Sequence, residues 1–254
     1  MSAVSVDPGA KLLIFDEIDS TNEEARRRAA KGDSTPVYLM ARAQTAGRGR
    51  RGREWMSLPG NLFLTYYGAT QKPPAEIALL GFAAGVALAE FCDSVLSAGR
   101  ARLKWPNDLM LDGRKAAGLL LEAGALADGR NWFAIGVGFN LVSSPQGIDQ
   151  ATAALADLAP RAVLSPEVVA NDFAERLASW AGRLDYEGFA PLRAAWETRA
   201  YGLGEAASVD LNGQMVSGIS RGLSPRGELM LELPTGEMRA IAAGDILFPR
   251  LAPA

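Results

Sequence analysis

The feature that most limits how this chain can fold is an unbroken run of glycine and arginine at residues 47–53. Arginine brings a fixed charge and a planar fork of hydrogen-bond donors, and glycine lets the backbone adopt positive φ angles and approach a ligand closely. The run lies between two segments that are typical of strands, residues 37–43 and 62–67. We therefore predict a loop that closes over phosphate or carboxylate oxygens.

This positive charge is local, because the whole chain carries a net charge of −3. Proteins dedicated to DNA or RNA usually have a basic excess. The chain contains no histidine, which excludes a Ser-His-Asp triad, a Cys-His dyad and a histidine-ligated zinc site. Its one cysteine, Cys92, allows no internal disulfide, which fits a reducing cytoplasm, and we predict that it is a buried small hydrophobic residue.

Apolar patterning predicts an α+β arrangement for about the first 200 residues. A strand at residues 12–18 precedes a helix that reaches about Lys31, and a capping box of Ser20 with Glu23, or of Thr21 with Glu24, is predicted to open this helix. The further predicted strands are residues 37–43, 62–67, 101–104, 108–111, 115–123 and 132–140, and the further predicted helices are residues 75–99, 166–183 and 188–200.

The most apolar stretch, residues 77–96, contains Glu90 and Asp93. It is predicted to be an amphipathic or core helix rather than a membrane span. Residues 1–10 lack a basic start followed by an apolar core, so no signal peptide is predicted.

The pattern changes after Gly204, where short strands are predicted at residues 206–211, 215–220, 228–233 and 238–242. Turn signals at residues 212–213, 224–227 and 235–236 separate these strands. This spacing predicts a small β-barrel, with domain bounds at 1–202 and 203–254. Because a unit of about fifty residues is small for an independent core, the barrel is expected to dock on the main domain.

The glycine-arginine run has two alternative interpretations, a dinucleotide-binding loop and an RNA-binding segment. Residues 47–52 match Gly-x-Gly-x-x-Gly, but a dinucleotide-binding fold needs a strand directly before this motif and a helix directly after it. Residues 44–46 intervene here, and Pro59 and Gly60 make the following segment a poor helix. Binding of RNA by the run is the second alternative, although only Trp55 offers a nearby aromatic ring.

Polar groups also cluster at a turn between two predicted strands. Lys104 ends one strand, Pro106 stiffens the turn, and Asn107 and Asp108 follow on the bend. Lys115 begins the next apolar strand, where a lysine needs an anionic partner or an exposed position. The structural alternative is a hairpin end with a lysine that extends to solvent.

Gly136 and Gly138 alternate in the last predicted strand of the first domain. Glycine at such positions indicates close approach of a ligand or of another backbone. A β-bulge is the structural alternative.

Taken together, these segments resemble the biotin protein ligases in type, order and spacing. The resemblance rests on residues 20–22, 44–55, 60–62, 104–108, 113–118 and 136–140. It covers residues 12–142 strongly and the C-terminal strands more loosely. It implies a mixed-sheet catalytic domain with helices, of the biotin/lipoate ligase type, and a small SH3-like β-barrel at the end. The resemblance is to the short form without a helix-turn-helix domain, so a repressor role is not implied.

The resemblance implies that biotin and ATP react to biotinyl-5′-AMP with Mg²⁺, and that biotin then passes to one lysine of a biotin carboxyl carrier domain. Bringing a carboxylate up to a triphosphate requires cations and positioning rather than histidine, which fits the composition. A lipoate-type ligase of the same fold is the alternative, although its usual substrate motif and histidine are missing. Neither DNA nor a membrane is an expected partner, and a homodimer stays open.

Carrying the family's motifs over residue by residue implies a set of roles. The implied catalytic residues are Lys115, Arg48 and Arg50, with Lys115 between the biotinyl carbonyl and the α-phosphate. The implied biotin contacts are Ser20, Thr21, Asn22, Gln44, Gly47, Arg48, Lys115, Gly118 and Gly136. The implied ATP and adenylate contacts are Arg50, Arg51, Arg53, Trp55, Lys104, Asn107, Asp108 and Asn140. No residue is singled out as a metal ligand, and Lys104 and Asp108 stay open between phosphate and acceptor-lysine contacts.

Overall fold

The computed structural model describes residues 6–148, 150–160, 165–211 and 213–248. Asn212 of the predicted turn 212–213, and residues 1–5 of the N-terminal segment, lie outside the described residues. The helices are α1 (Thr21–Ala30), α2 (Pro74–Ile77), α3 (Leu80–Val95), α4 (Pro166–Glu187) and α5 (Phe189–Glu197). The strands are β1 (Lys11–Ile18), β2 (Val37–Gln44), β3 (Leu62–Thr70), β4 (Ala101–Lys104), β5 (Asp108–Leu111), β6 (Arg114–Ala125), β7 (Asn131–Phe139), β8 (Ala206–Leu211), β9 (Gln214–Leu223), β10 (Leu229–Glu232), β11 (Met238–Ile241) and β12 (Asp245–Leu247).

Strands β1 to β7 form one seven-stranded mixed sheet in the order β1-β2-β3-β7-β6-β5-β4. The pair β1 and β2 is parallel, whereas the other neighbours in this sheet are antiparallel. The predicted α+β class with a mixed sheet is thereby confirmed. The predicted strands 108–111 and 115–123 correspond to β5 and β6, which pair antiparallel as a hairpin.

Helices cover both faces of this sheet. Helix α1 packs on β2, β3 and β7 from one side, and α3 and α4 pack on the other. Strand β3 is therefore buried on both faces, with Phe63, Thr65 and Tyr67 on one face and Leu64 and Tyr66 on the other. A strand with both faces covered is apolar throughout rather than at every second residue.

The predicted helix 75–99 is wrong in its continuity and in its end. The chain forms the short helix α2 and then α3, which stops at Val95. Residues 74–95 are long and apolar enough to cross a membrane by length and composition, yet most of the stretch is buried inside the protein. Helix α3 is the core helix of this stretch, and Cys92 is fully buried in it. Burial raises the pKa of the Cys92 thiol.

The predicted capping box of α1 is also wrong. Ser20 occupies the N-cap position, but no side chain caps the helix there. The Thr21 hydroxyl lies within hydrogen-bonding distance of the Gln44 side chain instead, and Glu24 pairs with Arg27. Thr21 thus contacts strand β2 and Glu24 contacts another residue of α1, so neither side chain caps the helix.

Strands β8 to β12 form a second, antiparallel sheet in the order β11-β10-β9-β8-β12. The four predicted C-terminal strands are confirmed, whereas β12 is missing from the prediction. Two turns of the same kind flank β10, one at Ser224–Gly227 and one at Leu233–Gly236. Each closes with its glycine N–H donated to the carbonyl of the first turn residue, and the two glycines have φ angles of 80° and 82°.

The second sheet docks on the main domain through one of these turns. The Trp105 indole donates to the Gly227 carbonyl over 3.3 Å, and a β-carbon at Gly227 would lie 2.6 Å from the Phe82 ring. The Glu197 carboxylate on α5 accepts from the Leu223 backbone N–H over 2.9 Å. Buried contacts of this kind supply the docking that the small size of the second unit requires.

The two turns allow a matched test of this docking. Replacing Gly236 by Ala introduces only the strain of a positive φ angle, because no atom lies within 4 Å of the new β-carbon, so we expect a loss of about 1–2 kcal/mol in unfolding free energy. Gly227→Ala adds the clash with Phe82, and we expect a further 1–3 kcal/mol. Urea unfolding of both variants measures the difference, and equal losses would show that the Phe82 contact does not support docking.

Candidate active site

A cavity of about 260 Å³ lies where the N-terminus of α1, strands β6 and β7, and the loop between β2 and β3 meet. We call this loop, residues 45–61, the arginine loop. The predicted site residues that line the cavity are Ser20, Thr21, Asn22, Gln44, Arg48, Arg50, Arg53, Trp55, Asn107, Lys115, Gly118, Gly136 and Asn140. Those that do not line it are Gly47, Arg51, Lys104 and Asp108.

One end of the cavity is built from uncharged hydrogen-bonding groups. The Thr21 backbone N–H donates to Gln44 Oε1 over 2.9 Å, and the Thr21 hydroxyl lies 3.2 Å from the same oxygen. The hydroxyl of Thr65, which is fully buried on β3, lies 2.8 Å from the Thr21 hydroxyl and 2.7 Å from Asn22 Oδ1. These side chains can recognise a compact polar group that both donates and accepts hydrogen bonds.

The arginine loop is an ordered turn. Gly49 N–H donates to Arg53 O over 2.7 Å, and Trp55 N–H donates to Gly47 O over 2.9 Å. A β-carbon at Gly47 would lie 2.4 Å from the Trp55 carbonyl oxygen. Gly47 therefore sits behind the lining and permits the close pairing of the two arms of the loop.

The indole of Trp55 lies on the glycines of β6 and β7. A β-carbon at Gly118 would lie 2.9 Å from this ring, and one at Gly138 would lie 2.4 Å from it. The Lys115 ammonium lies 5.7 Å from the ring centroid, within cation–π range. The alternating glycines thus allow close approach, as predicted, and in this structure the approaching groups are Trp55 and, at Gly136, the Asn22 side chain.

Lys115 forms an ion pair with Asp108, with 2.8 Å between Nζ and Oδ1, and its side chain is 18% exposed. This supplies the anionic partner that a lysine in an apolar strand requires. Lys104 lies opposite Asp108 in the pairing of β4 with β5. Burial lowers the pKa of Lys104, and the charge of Asp108 opposes this shift.

Three arginines of the loop converge on Asp245 from the second sheet. The distances from the guanidinium nitrogens to its carboxylate are 3.6 Å for Arg50, 3.4 Å for Arg51 and 3.3 Å for Arg53. Arg50 also donates to the Asn107 side-chain oxygen over 3.2 Å. Burial lowers the pKa of Arg50, yet a guanidinium stays charged at neutral pH. Sequence reasoning missed Asp245 because the short strand β12 that carries it was not predicted.

Arg48 is held by Glu23 of α1 over 2.5 Å. Its guanidinium thus sits between the arginine loop and the first turn of the helix. The loop cations Arg48, Arg50, Arg51 and Arg53 and the strand cation Lys115 are each paired with a carboxylate from another part of the chain.

Two buried polar atoms at the cavity have no hydrogen-bond partner among the described residues, namely Asn140 Oδ1 and Trp55 Nε1. The Asn140 amide nitrogen donates to Ala153 O over 3.3 Å. Buried polar groups are ordinarily paired, so these two atoms are candidate contacts for a ligand.

Sequence reasoning missed part of the cavity wall. The missed residues are Gly49, Glu54, Met56, Leu119, Leu120, Val137, Pro145, Ile148, Gln150 and Thr152. Residues 145–148 and 150–152 carry no motif, and a backbone bridge between Lys115 and Thr152 brings them to the cavity. Only the long-range contact of this segment with β6 identifies it.

The described residues contain no group of three or more carboxylate or thiol side chains that could enclose a metal ion. Mg²⁺ commonly binds through one or two carboxylates together with substrate phosphates and water. The donor set at the cavity, in which Glu54 is a lining carboxylate, suits a metal of that kind.

Comparison with known proteins identifies the family of both parts of the chain. Residues 14–140 match the biotin/lipoate A/B protein ligase family, and residues 202–248 match the biotin protein ligase C terminal domain. The chain is 36% identical to a biotin–[acetyl-CoA-carboxylase] ligase of Paracoccus denitrificans, over 91% of this chain and 97% of the relative. It is 32% identical to the ligase of that name from Mycobacterium tuberculosis, over 94% and 90%.

The fold is likewise similar to solved structures. The biotin protein ligase from Aquifex aeolicus in complex with biotin and ATP superposes with a TM-score of 0.78 at 24% identity, covering 94% of this chain and 99% of that one. The predicted fold class, a biotin/lipoate ligase-type domain with a small C-terminal β domain, is confirmed.

The convergence on Asp245 predicts how the arginine loop is held. Asp245→Asn removes the shared counter-ion, and partly exposed ion pairs contribute about 1 kcal/mol or less each. We therefore expect amide hydrogen exchange in residues 47–55 to accelerate roughly three- to tenfold. The matched control is Asp128→Asn, which removes the partner of Arg130 in a distant turn. Unchanged exchange in the Asp245 variant would contradict this role.

Proposed function

The chain belongs to the biotin protein ligase family, and from this premise we propose which of its residues carry out the reaction. It is an ATP-dependent ligase that converts biotin to biotinyl-5′-AMP and then transfers biotin to a lysine. The family acts on biotin carboxyl carrier protein, and a carrier domain with one reactive lysine is the proposed acceptor. The relatives in sequence are biotin ligases, which favours this reaction over lipoate transfer and over RNA binding.

The observation that carries the proposal is the polarity of the cavity. Uncharged donors and acceptors lie at the Thr21, Asn22 and Gln44 end, whereas Arg48, Arg50 and Lys115 supply positive charge. Biotin has the matching distribution, with a cyclic urea at one end and a carboxylate at the other. The dithiolane ring of lipoate has neither an N–H nor a carbonyl group, so it leaves the uncharged end without partners.

In the first step, an oxygen of the biotin carboxylate attacks the α-phosphorus of ATP and pyrophosphate leaves. Both reactants are anions, so the cations must lower their repulsion and hold them in line. We assign Lys115 to the carboxylate and the α-phosphate, and Arg48 and Arg50 to the phosphates. ATP would displace carboxylate partners such as Glu23 and Asp108 from these cations.

In the second step, the amine of the acceptor lysine attacks the acyl carbon of the adenylate and AMP leaves. The amine must be neutral when it attacks, and the chain has no histidine to accept its proton. Asp108, which lies beside Lys115, is the carboxylate that we assign to accept this proton.

Mg²⁺ would neutralise charge on the triphosphate when it is bound, and Glu54, which lines the cavity, is the carboxylate that would help to hold it. The adenine is assigned to the Trp55, Asn107 and Asn140 side of the cavity. Gly118 and Gly136 are assigned to the close approach of biotin. Arg51, Arg53 and Lys104 are assigned to ATP and the adenylate, and of these three Arg53 lines the cavity.

We further propose that residues 1–202 form the catalytic unit and residues 203–254 a C-terminal unit that holds the arginine loop through Asp245. The proposed location is the cytoplasm. A reducing compartment suits a protein with a single unpaired cysteine, and the carboxylase substrates are expected there as well. Pairing of two copies and the absence of DNA binding are expectations that gel filtration and a mobility-shift assay check directly.

The primary test mixes the purified protein with biotin, ATP, Mg²⁺ and a carrier domain, and measures the mass of the carrier. We expect a gain of one biotinyl group that requires ATP. Lys115→Ala is expected to lower the transfer rate about 100-fold or more, because it removes a charge that acts in the transition state. Lys72→Ala is the matched control, since Lys72 is 19% exposed and is also ion-paired. A Lys115 variant within a few-fold of wild type would contradict the assignment.

Arg50 is expected to retain the reactive adenylate. Arg50→Gly breaks the contacts with Asn107 and Asp245, so the adenylate should escape and biotinylate unrelated proteins. The neighbouring Arg51, which already has a positive φ of 55° and does not line the cavity, provides the control Arg51→Gly. Streptavidin blots of a mixed protein lysate compare the two, and unchanged selectivity in the Arg50 variant would count against this role.

A further inference from the structure

A chain of polar contacts runs behind the uncharged end of the cavity, from Thr65 through Asn22 to Glu122 and Arg26. We call these four residues the Asn22 network. Asn22 lies in the first turn of α1, Thr65 on the central strand β3, and Glu122 on β6. Only Asn22 of the four lines the cavity. The other three act on the cavity only through the Asn22 carboxamide or its neighbours.

The hydrogen bonds determine which way the Asn22 carboxamide faces. Its Nδ2 donates to the Leu120 carbonyl over 3.3 Å and to Glu122 Oε2 over 3.0 Å. Its Oδ1 lies 2.7 Å from the Thr65 hydroxyl. A flipped amide would set its oxygen against two acceptors, the Leu120 carbonyl and the Glu122 carboxylate. The network therefore allows one orientation.

Charge reinforces this orientation. The Glu122 side chain is 14% exposed and pairs with Arg26. The Glu122 pairing raises the pKa of Arg26. A charged acceptor binds the Asn22 amide hydrogen more strongly than a neutral one does.

The same network reaches the second carboxamide of the cavity. The Thr65 hydroxyl, which donates its single hydrogen to Asn22 Oδ1, can accept one from the Thr21 hydroxyl 2.8 Å away, and the Thr21 backbone N–H donates to Gln44 Oε1. Gln44 thus presents its Nε2 as a donor. With its two amide hydrogens bound to the Leu120 carbonyl and the Glu122 carboxylate, Asn22 can offer the ligand only its oxygen. The cavity end therefore pairs a fixed donor with a fixed acceptor.

We propose that Thr65 and Glu122, the latter held by Arg26, are positioning residues that fix the Asn22 carboxamide for recognition of the biotin urea. A cyclic urea carries N–H donors and one carbonyl acceptor, so it matches an acceptor from Asn22 and a donor from Gln44. This inference rests on the proposed binding of biotin in the cavity. It adds two residues, neither of which lines the cavity, to those that determine biotin affinity.

Calorimetric titration with biotin tests the proposal, first in the wild-type protein and then in an Asn22→Ala protein. Thr65→Val and Glu122→Met each remove one hydrogen bond to Asn22, and we expect each to weaken biotin binding about tenfold. Thr65→Ser keeps the hydroxyl and Glu122→Gln keeps an acceptor oxygen, so each of these variants should retain most of the wild-type affinity for biotin. Binding of ATP and the melting temperature should stay close to wild type.

The decisive comparison repeats Thr65→Val and Glu122→Met in an Asn22→Ala protein. If both residues act by positioning Asn22, their effects on biotin affinity fall below about twofold there, because residues that act through one group are not additive. A full tenfold effect in the Asn22→Ala background would overturn the proposal, as would wild-type affinity of the single variants. The proposed function is judged separately, on the wild-type protein. If wild-type protein transfers biotin, the proposed function stands whatever the variants show. If wild-type protein does not bind biotin, both the proposed function and the positioning role are overturned.

Discussion

The site depends on cations that are brought together and held in place before any anionic ligand arrives. Arg48 is held by Glu23, Lys115 by Asp108, and the other loop arginines by Asp245. Unbalanced positive charges at this density would repel one another and disorder the arginine loop. One carboxylate for each group of cations keeps the loop ordered, and these carboxylates can be exchanged for phosphate and carboxylate oxygens of the substrates. The electrostatic stabilisation of the reaction is thus largely built into the ligand-free fold.

The carboxylates come from three different parts of the chain: the first helix, the start of strand β5 and the C-terminal sheet. This distribution explains why a small C-terminal unit accompanies the catalytic sheet. The unit docks through Gly227 and Trp105, and it places Asp245 against the arginine loop. The position of the loop therefore depends on the packing between the two sheets as well as on its own turn.

The two ends of the cavity use different physical means of recognition. The charged end attracts its ligands over a distance and tolerates small shifts of the side chains. The uncharged end depends on hydrogen-bond direction, which an amide flip would reverse. The Asn22 network supplies that direction from residues behind the cavity wall, and the buried Thr65 hydroxyl links both carboxamides.

Several parts of this protein follow from the sequence alone. The strands around the glycine-arginine run, the core helix with Cys92 and the change of pattern after Gly204 are local, because hydrophobic period and turn residues specify them. Most residues of the cavity were also predicted, since their motifs match one family in order and spacing. The capping box, the break after α2 and the short strand β12 were not predicted correctly, because each depends on partners far along the chain.

Only the tertiary structure decided that Asp245 meets three arginines, that Trp55 lies on Gly118 and Gly138, and that Glu122 orients Asn22. Such contacts join residues tens to hundreds of positions apart, and their geometry exists only once the two sheets and the helices have packed.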